Sequence, residues 1–290
     1  MKKKEQIAKP FMNIKSFDKP LSKCLLCQSD DIFHYHTAAD DIKIFKCRNC
    51  SVQYMNPQYS DEYLNKYYSG YIIDEPEWEE PLVYCHNYYL SIVEKFGKKG
   101  RLLDVGAGKG YLLEAAISRG WEAEGYDVDA ELTKRLSKKY NINIYDGDFE
   151  KLKLENEVFF AVTLHQVIEH LKNPIPYLKK IQQILSPGGI LLLVQPNIHS
   201  RSAMFKLSLE RLGLRKKNIG AYYDTSHHLF YYTPKTLKRL VESFGFKVVY
   251  MKSGHAARPN QSELKRFMLR NFGDRILWKS TFLAVCVKQV

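Results

Sequence analysis

The sequence predicts an α/β protein whose main part is a sheet of seven mostly parallel strands, preceded by a small cysteine-rich module. From Arg101 onward, short apolar runs alternate with amphipathic stretches, which is the pattern of strands and crossover helices. Before that point the chain carries two cysteine pairs, followed by a stretch rich in tyrosine and acidic residues. A length of 290 residues allows one large domain and a small one.

The cysteine-rich module depends on four of the six cysteines, which occur as C-x2-C, 19 residues, and C-x2-C. Each pair can form a tight knuckle that offers two thiolates to one metal, and two knuckles complete a tetrahedron. The residues between the pairs have the composition of two short strands around a polar turn. We therefore predict a zinc ribbon over residues 21–58, after a disordered lead over residues 1–20. Its structural Zn²⁺ is held by Cys24, Cys27, Cys47 and Cys50.

Disulfide bonds are the alternative for these cysteines. The N-terminal segment MKKKEQIAKPFMNIK is basic but has no apolar core typical of a secretory signal. No apolar run approaches the roughly 20 residues that span a bilayer. We therefore expect a cytoplasmic protein, in which zinc binding is favoured over disulfides.

Residues 59–98 connect the ribbon to the main domain. Pro76 and Pro81 interrupt the stretch, and the part from about Pro81 to Phe96 has helical spacing that ends at Gly97. We predict a helical connector that covers the site of the following domain.

The main domain, residues 99–290, carries the seven predicted strands. In chain order they are RLLDVG, EAEGYDV, NINIYDGD, FFAVTLHQ, GGILLLVQP, FKVVYMKS and TFLAVCVKQ. The last two lack a simple crossover helix between them, so we expect them to pair antiparallel at the sheet edge. The predicted helices are GYLLEAAISRG, DAELTKRLSKKY, YLKKIQQILSPGG and TPKTLKRLVESFG.

A glycine-rich loop follows the first of these strands, in RLLDVGAGKGYLLEAA. The strand ends at Asp104, and Gly106, Gly108 and Gly110 precede a helix. Glycine is expected where a ligand passes close to the main chain. The G-x-G-x-G spacing differs from the G-x-G-x-x-G of dinucleotide sites, and an acidic residue before the loop suits a cationic group. A plain tight turn or a nicotinamide site are the alternatives.

Acidic residues end the next two strands as well. Asp127 lies 17 residues after Gly110, where a carboxylate can accept hydrogen bonds from both hydroxyls of a ribose. Asp148 can accept from an adenine amino group while Phe149 lies against the ring. These positions together predict a ligand with an amino-acid end, a ribose and an adenine.

On these residues the sequence resembles the class I S-adenosylmethionine-dependent methyltransferases over about residues 100–290. HLFYYTPKTLKRLVESFGF is similar to a signature of small bacterial members, and CRNCSVQYMNP is similar to the zinc-ribbon lead found on many of them. The resemblance implies a Rossmann-like seven-stranded methyltransferase fold that binds S-adenosylmethionine. The implied cofactor-binding residues are Asp104, Gly106, Gly108, Gly110, Asp127, Asp148, Phe149 and His165.

The segment TLHQVIEHL follows the fourth strand of this domain. His165 stands at the strand end and is expected to face the cofactor crevice. Quinone-biosynthesis O-methyltransferases carry a metal-binding E-x-x-E-H run here, and this chain has Gln166, Glu169 and His170 at those positions. If the segment is helical, the three share a face. Loss of one carboxylate weakens a hard-cation site, so we interpret QVIEH as a structural helix start.

Two motifs that the sequence lacks narrow the range of chemical groups that could accept the methyl group. No (N/D)-P-P-(Y/F) run for amino methylation follows the fourth strand, and no cysteine nucleophile lies near it. Where a hydroxyl is methylated, a base must take its proton. The candidates for a catalytic residue are His165, His170 and His228, and His227 is next to the last of these.

The net charge and the insert over residues 198–228 indicate what kinds of partner the protein could bind. The net charge is +12, and residues 201–290 hold 18 lysines and arginines against 5 acidic residues. Either these are ordinary solvated lysines, or they indicate an anionic partner. The insert has a basic amphipathic stretch, from which we predict a substrate cap or a peripheral membrane contact. A plain packing helix is the alternative.

We therefore predict O-methylation of a small-molecule acceptor in a bacterial biosynthetic pathway. An anionic or lipid-linked acceptor is compatible with this prediction. The acceptor would be a surface sugar, a quinone or a natural product. The alternative is an RNA methyltransferase that uses the zinc ribbon and the basic C-terminal third. A binding module that has lost activity is disfavoured by the intact acidic and glycine positions.

Overall fold

The main sheet has seven strands, as the sequence predicts. The computed structural model describes residues 15–68, 79–214, 223–253 and 279–289. The order across the sheet is β10-β11-β8-β7-β4-β5-β6. The strands are β4 (Arg101–Val105), β5 (Glu122–Tyr126), β6 (Ile144–Tyr145), β7 (Phe159–His165), β8 (Leu185–Pro196), β10 (Phe246–Ser253) and β11 (Thr281–Lys288).

The direction of the strands follows from the connections between them. Helices α3 (Tyr111–Ser118), α4 (Ala130–Tyr140) and α5 (Pro174–Ile184) link parallel neighbours, because a parallel pair needs a crossover. β11 pairs antiparallel with both β8 and β10. The predicted antiparallel pairing is therefore confirmed, with β11 inserted between β8 and the edge strand β10. The sheet is that of the Rossmann-like methyltransferase fold.

The ribbon forms a second sheet of four strands. β1 (Ile32–Thr37), β2 (Lys43–Cys47) and β3 (Gln53–Met55) come from the N-terminal module. The fourth strand, β9 (Phe230–Tyr231), comes from the main domain and pairs antiparallel with β3. Tyr54 of β3 and Phe230 of β9 also belong to one buried apolar cluster that includes main-sheet residues such as Leu191 and Phe282. The ribbon is therefore joined to the main domain by both a shared sheet and a shared core.

The segments on either side of the ribbon are also fixed to it. Residues 15–20 are ordered, since Phe17 bridges to Tyr59 and its ring stacks on that of Tyr59. The predicted disordered lead is therefore too long at its C-terminal end, and residues 1–14 lie outside the described residues. After the ribbon come α1 (Asp61–Tyr68) and α2 (Glu79–Val93). That this segment covers the site of the main domain stays a prediction.

The remaining helices are α6 and α7. α6 (Arg201–Arg211) lies in the predicted insert and leaves apolar side chains in solvent, with Met204 43% and Phe205 65% exposed. α7 (Pro234–Glu242) begins at a capping box between Thr233 and Thr236. Within the described residues, none of the helices has the length and apolar content needed to cross a membrane.

The segment QVIEH is not a helix start, and that prediction is wrong. Residues 166–173 form turns and irregular backbone, with Gln166 at a φ of 56°, and helix α5 begins only at Pro174. The start signal is the Asn173-Pro174 pair: Asn173 accepts a hydrogen bond from the Ile175 N–H, and proline suits the first helical position. Gln166, Glu169 and His170 therefore do not share a helical face.

Candidate active site at the carboxyl edge of the main sheet

A cavity of about 750 Å³ lies where β4, β5 and β7 end. This position follows from the topology, because the loops after parallel strands meet at the carboxyl edge of the sheet. Two groups of residues line it. The first group comes from the loops after β4 and β5 and includes Asp104, Gly106, Gly108, Lys109, Asp127 and Asp129. The second group is aromatic and consists chiefly of Tyr68, His86, His165, His170, His227 and His228.

The three glycines of the loop serve different purposes. All three have positive φ, which favours glycine. A Cβ at Gly106 would collide with the Val167 side chain, and one at Gly110 would lie 2.8 Å from Leu136 Cδ2. At Gly108 no atom lies within 4 Å of the Cβ position, so the backbone there borders open space in the cavity. Only Gly108 therefore matches the expectation that a ligand needs the room; the other two are required by protein packing.

Two carboxylates shape the cavity beside this loop. Asp127 accepts hydrogen bonds from the backbone N–H of Gly108, at 2.8 Å, and of Asp129, at 3.1 Å. Asp104 is buried and accepts a 2.6 Å hydrogen bond from the Thr163 hydroxyl. Burial raises the pKa of both carboxyls, that of Asp104 to about 7. Asp127 therefore fixes the loop, while Asp104 is a buried acid whose charge depends on its surroundings.

Three further predicted cofactor residues, Gly110, Asp148 and Phe149, lie outside the cavity lining. Gly110 begins α3 and packs against α4. The Asp148 carboxylate accepts a hydrogen bond from the Glu150 N–H at the start of a short 3-10 helix. It also forms an ion pair with Lys151, with a nitrogen–oxygen distance of 3.0 Å. Phe149 is fully buried and stacks on Tyr177, whose ring does line the cavity. Roles for Asp148 and Phe149 in adenine binding stay predictions.

His165 lies beside the glycine loop. β4 and β7 are neighbours with Val105 opposite Leu164, so His165 and Gly106 stand side by side at the sheet edge. Its Nδ1 is 3.0 Å from Nε2 of His86, a buried residue of α2. Nothing in the sequence singles out His86, because one histidine in a tyrosine-rich stretch carries no motif. The two imidazoles form a hydrogen-bonded pair on the cavity wall.

The other predicted catalytic histidines form a second group. His170 stacks on His227 with ring centroids 4.5 Å apart, and the ring centroids of His170 and His228 are 4.7 Å apart. Burial lowers the pKa of all three, that of His170 to about 3, so their rings are neutral. His227 is held through its Nδ1 by Ser226 Oγ at 2.6 Å and by Tyr67 at 3.0 Å.

Most of the described residues of the predicted substrate cap are absent from the cavity lining. Within the described part of residues 198–228, only His227 and His228 line the main cavity. α6 instead borders a smaller cavity of about 130 Å³, through Ala203 and Lys206. Residues 215–222 of the insert lie outside the described residues. A capping role for α6 stays a prediction.

The four ribbon cysteines converge as the spacing predicts. Cys24 Sγ is 3.6 Å from Cys50 Sγ, and Cys27 Sγ is 3.5 Å from Cys47 Sγ. All four sulfur atoms lie within 4.8 Å of one another, and none forms a disulfide. In a tetrahedral zinc site with bonds of about 2.3 Å, neighbouring sulfurs are about 3.8 Å apart. The geometry fits a four-thiolate zinc site.

Known proteins share this architecture. A demethylmenaquinone methyltransferase of Chlorobaculum parvum is 24% identical over 177 residues, covering 58% of this chain and 73% of its own. A ubiquinone biosynthesis O-methyltransferase of Psychrobacter arcticus is 27% identical over 181 residues, covering 58% and 68% respectively. Both alignments cover most of the relative and more than half of this chain.

Solved structures support the fold. A SAM-dependent methyltransferase from Archaeoglobus fulgidus superimposes with a TM-score of 0.53 at 18% identity, covering 75% of this chain and 99% of its own. A Haloferax volcanii methyltransferase, solved with the Trm112 methyltransferase activator, gives 0.55 at 15% identity and covers 77% and 96%. At these identities the likeness concerns the fold alone.

The family itself is shown by a model described as a methyltransferase domain, which matches residues 81–251. These residues contain the glycine loop, Asp104, Asp127 and every histidine of the cavity wall. Because the match covers more than half of the 290 residues, the chain belongs to the methyltransferase-domain family and is an S-adenosylmethionine-dependent methyltransferase.

Proposed function

We propose that this enzyme methylates a hydroxyl oxygen of a small, uncharged ring compound, of the quinone, sugar or natural-product type. The observation that carries the proposal is the second, aromatic group of cavity residues, which we call the acceptor wall: Tyr68, His86, His165, His170, His227 and His228. The names of the two curated relatives, both enzymes of quinone methylation, support the same class of acceptor.

The charges around the cavity favour an uncharged acceptor. The acceptor wall contains phenol and imidazole groups only, and three of its histidines are kept neutral by burial. Among the described residues that line the cavity, Lys109 is the one cation. A nucleic acid is held by a series of lysines and arginines that contact phosphates. Among the described residues beyond residue 200, no lysine or arginine lines the cavity, which supports a small molecule over RNA.

The donor side of the cavity suits the cofactor. We propose that Asp104 pairs with the ammonium group of its amino-acid end, and that Asp127 accepts from the ribose hydroxyls. Gly108 borders open space in the cavity, so its backbone can approach the ligand closely. Bound S-adenosylmethionine supplies a methyl group on a positively charged sulfur.

The protein's own part in the reaction is to position the acceptor and to remove its proton. Methyl transfer is an in-line displacement, so positioning supplies much of the rate. We propose that His165 takes the hydroxyl proton, since it stands beside the glycine loop at the end of β7. His86 orients it through the 3.0 Å contact between their ring nitrogens. This pairing resembles other base-and-orienter arrangements, in which a neighbour fixes the tautomer of the base.

We further propose that the four ribbon cysteines hold a structural Zn²⁺. The support is their spacing and the sulfur separations of 3.5 and 3.6 Å. Four thiolates leave no open position, so the ion is assigned no part in catalysis.

The acceptor class is tested by incubating the protein with S-adenosylmethionine tritiated on its methyl group and with a cell extract. The extract is then separated into small molecules, lipids, RNA and protein. We expect the label in the small-molecule or lipid fraction. A label that survives mild alkali, which removes methyl esters, and is released by hydriodic acid, which cleaves methyl ethers, should identify a methylated hydroxyl. Label in RNA would contradict the proposal and favour the RNA methyltransferase alternative.

A further inference from the structure

Three histidines of the acceptor wall converge closely enough to share one ion. His170 lies in the turn after β7, and His227 and His228 lie in the loop before β9. Each offers a ring nitrogen, and these three atoms lie within 4.8 Å of one another. In a tetrahedral site with metal–nitrogen bonds of about 2.1 Å, neighbouring donors are about 3.4 Å apart. A movement of roughly 1 Å by the side chains therefore brings them to bonding distance.

A second observation next to this cluster calls for a cation. Glu169 is 1% exposed, and within the described residues neither of its carboxylate oxygens has a hydrogen-bond partner. Its Oε1 lies 3.8 Å from His170 Nε2. A buried carboxylate without hydrogen bonds is costly unless it is protonated or faces a positive charge. An ion held by the three imidazoles would supply that positive charge close to Glu169, because His170 is one of its ligands.

We propose that His170, His227 and His228 bind one divalent transition-metal ion of the zinc class, with Glu169 as the buried counter-charge. Three imidazoles favour Zn²⁺, Co²⁺ or Fe²⁺ over Mg²⁺ and Ca²⁺, which prefer oxygen ligands. Three protein ligands also leave one coordination position open, as in catalytic rather than structural zinc sites. This set differs from the Gln166, Glu169 and His170 run considered from the sequence, and shares only His170 as a ligand.

The surroundings of the cluster already orient its rings. His227 is held at Nδ1 by Ser226 and Tyr67, and His170 Nδ1 lies 3.3 Å from the backbone oxygen of His227. Because these contacts use Nδ1 in both residues, we assign Nε2 of each as the metal ligand. Outer contacts of this kind fix ring orientation in established metal sites.

The open position of this ion faces the same cavity as the donor loop. All three histidines line that cavity together with Asp104 and Gly108. If the proposed O-methylation is right, an acceptor hydroxyl bound to the ion loses its proton more readily, because a divalent cation lowers the pKa of a bound oxygen. The role of the ion in the reaction rests on the proposed function; its binding does not.

The test is the number and type of metal ions bound by the full chain. The metal-free protein is titrated with Co²⁺, whose thiolate complexes give charge-transfer bands that imidazole complexes lack. We expect two ions per chain, one with thiolate bands and one without. His228→Ala and, separately, His170→Gln should each lose the ion without thiolate bands and retain the other, which also shows that the ribbon is folded.

Two matched variants complete the design. His34→Ala removes an exposed ribbon histidine and should keep both ions, whereas Cys47→Ser should lose the thiolate bands. The proposal is overturned if the unmodified protein binds only an ion with thiolate bands, or if the ion without thiolate bands persists in both His228→Ala and His170→Gln. Transfer of label from tritiated S-adenosylmethionine by the unmodified protein tests the proposed function separately, because that readout does not depend on the metal count.

Discussion

The two sides of the cavity are built in opposite ways. The donor side comes from one continuous stretch, from Asp104 to Asp129, in which β4, α3 and β5 carry the glycine loop and both carboxylates. The acceptor wall draws on α1, α2, the end of β7, the turn after it, and the loop before β9. A site built from one continuous stretch carries a sequence motif that can be recognised. A site assembled from distant segments carries no such motif, and its geometry depends on the packing that positions each segment.

The four-cysteine ribbon helps to position these segments. β3 of the ribbon pairs with β9, which begins two residues after His228. Tyr59 donates a 2.7 Å hydrogen bond to the Thr225 backbone oxygen, and Tyr67 contacts His227. The described contacts of the ribbon, and of the connector that carries Tyr59 and Tyr67, therefore support the acceptor wall, and the donor loop is held by its own βαβ unit. Four predictions test this difference.

The largest effect is expected at the proposed base. His165→Ala should lower turnover about 10²- to 10⁴-fold at saturating cofactor, the usual contribution of a general base. His86→Ala should give a smaller loss, since it only orients His165. Turnover at several pH values and cofactor affinity by calorimetry are the measurements. Wild-type turnover in His165→Ala would remove it from the mechanism.

The second-largest expected effect distinguishes the acceptor wall from the donor side of the cavity. Cys47→Ser breaks the thiolate set and should loosen β3, β9 and the histidines beside them. We expect turnover to fall about 100-fold, the scale of a 1 Å misplacement of reacting groups, with cofactor affinity almost unchanged. Steady-state kinetics and calorimetry check this. An equal loss of cofactor affinity would show that the ribbon supports both sides.

The third prediction concerns the donor side alone. Asp127→Ala removes two accepted N–H bonds and the proposed ribose contact, each worth about 1.5–3 kcal/mol to a charged group. Cofactor affinity should fall about 10- to 100-fold, since tenfold corresponds to about 1.4 kcal/mol. Addition of Gly106→Arg should abolish binding, because the new side chain collides with Val167. Glu114→Gln, on exposed α3 surface, is the control and should bind normally.

The smallest effect is a pH dependence of cofactor affinity. Burial raises the pKa of Asp104 to about 7, so the neutral carboxyl predominates below that pH and the carboxylate above it. Pairing with an ammonium group requires the carboxylate. Affinity should therefore rise, at most tenfold per pH unit, up to about pH 7 and then level off. Asp104→Asn should bind weakly with a flat profile; a sloping profile in that variant would assign the dependence to another group.

The sequence by itself determined the sheet, the ribbon cysteines and the donor loop. Each depends on local spacing: alternating apolar runs, C-x2-C pairs, or glycines beside an acidic strand end. Local spacing also misleads: the helical spacing of polar residues in QVIEH predicts a helix start, whereas α5 begins at the Asn173-Pro174 pair.

Only the tertiary structure decided which distant residues meet. His86 joins His165 across 79 positions, and His170 meets His227 across 57, although nothing in the local sequence of either pair specifies its partner. The pairing of β3 with β9 is decided in the same way, by two edges meeting in a common core. Long-range contacts follow from the packing of the whole chain, so their chemistry can be recognised only after the chain is folded.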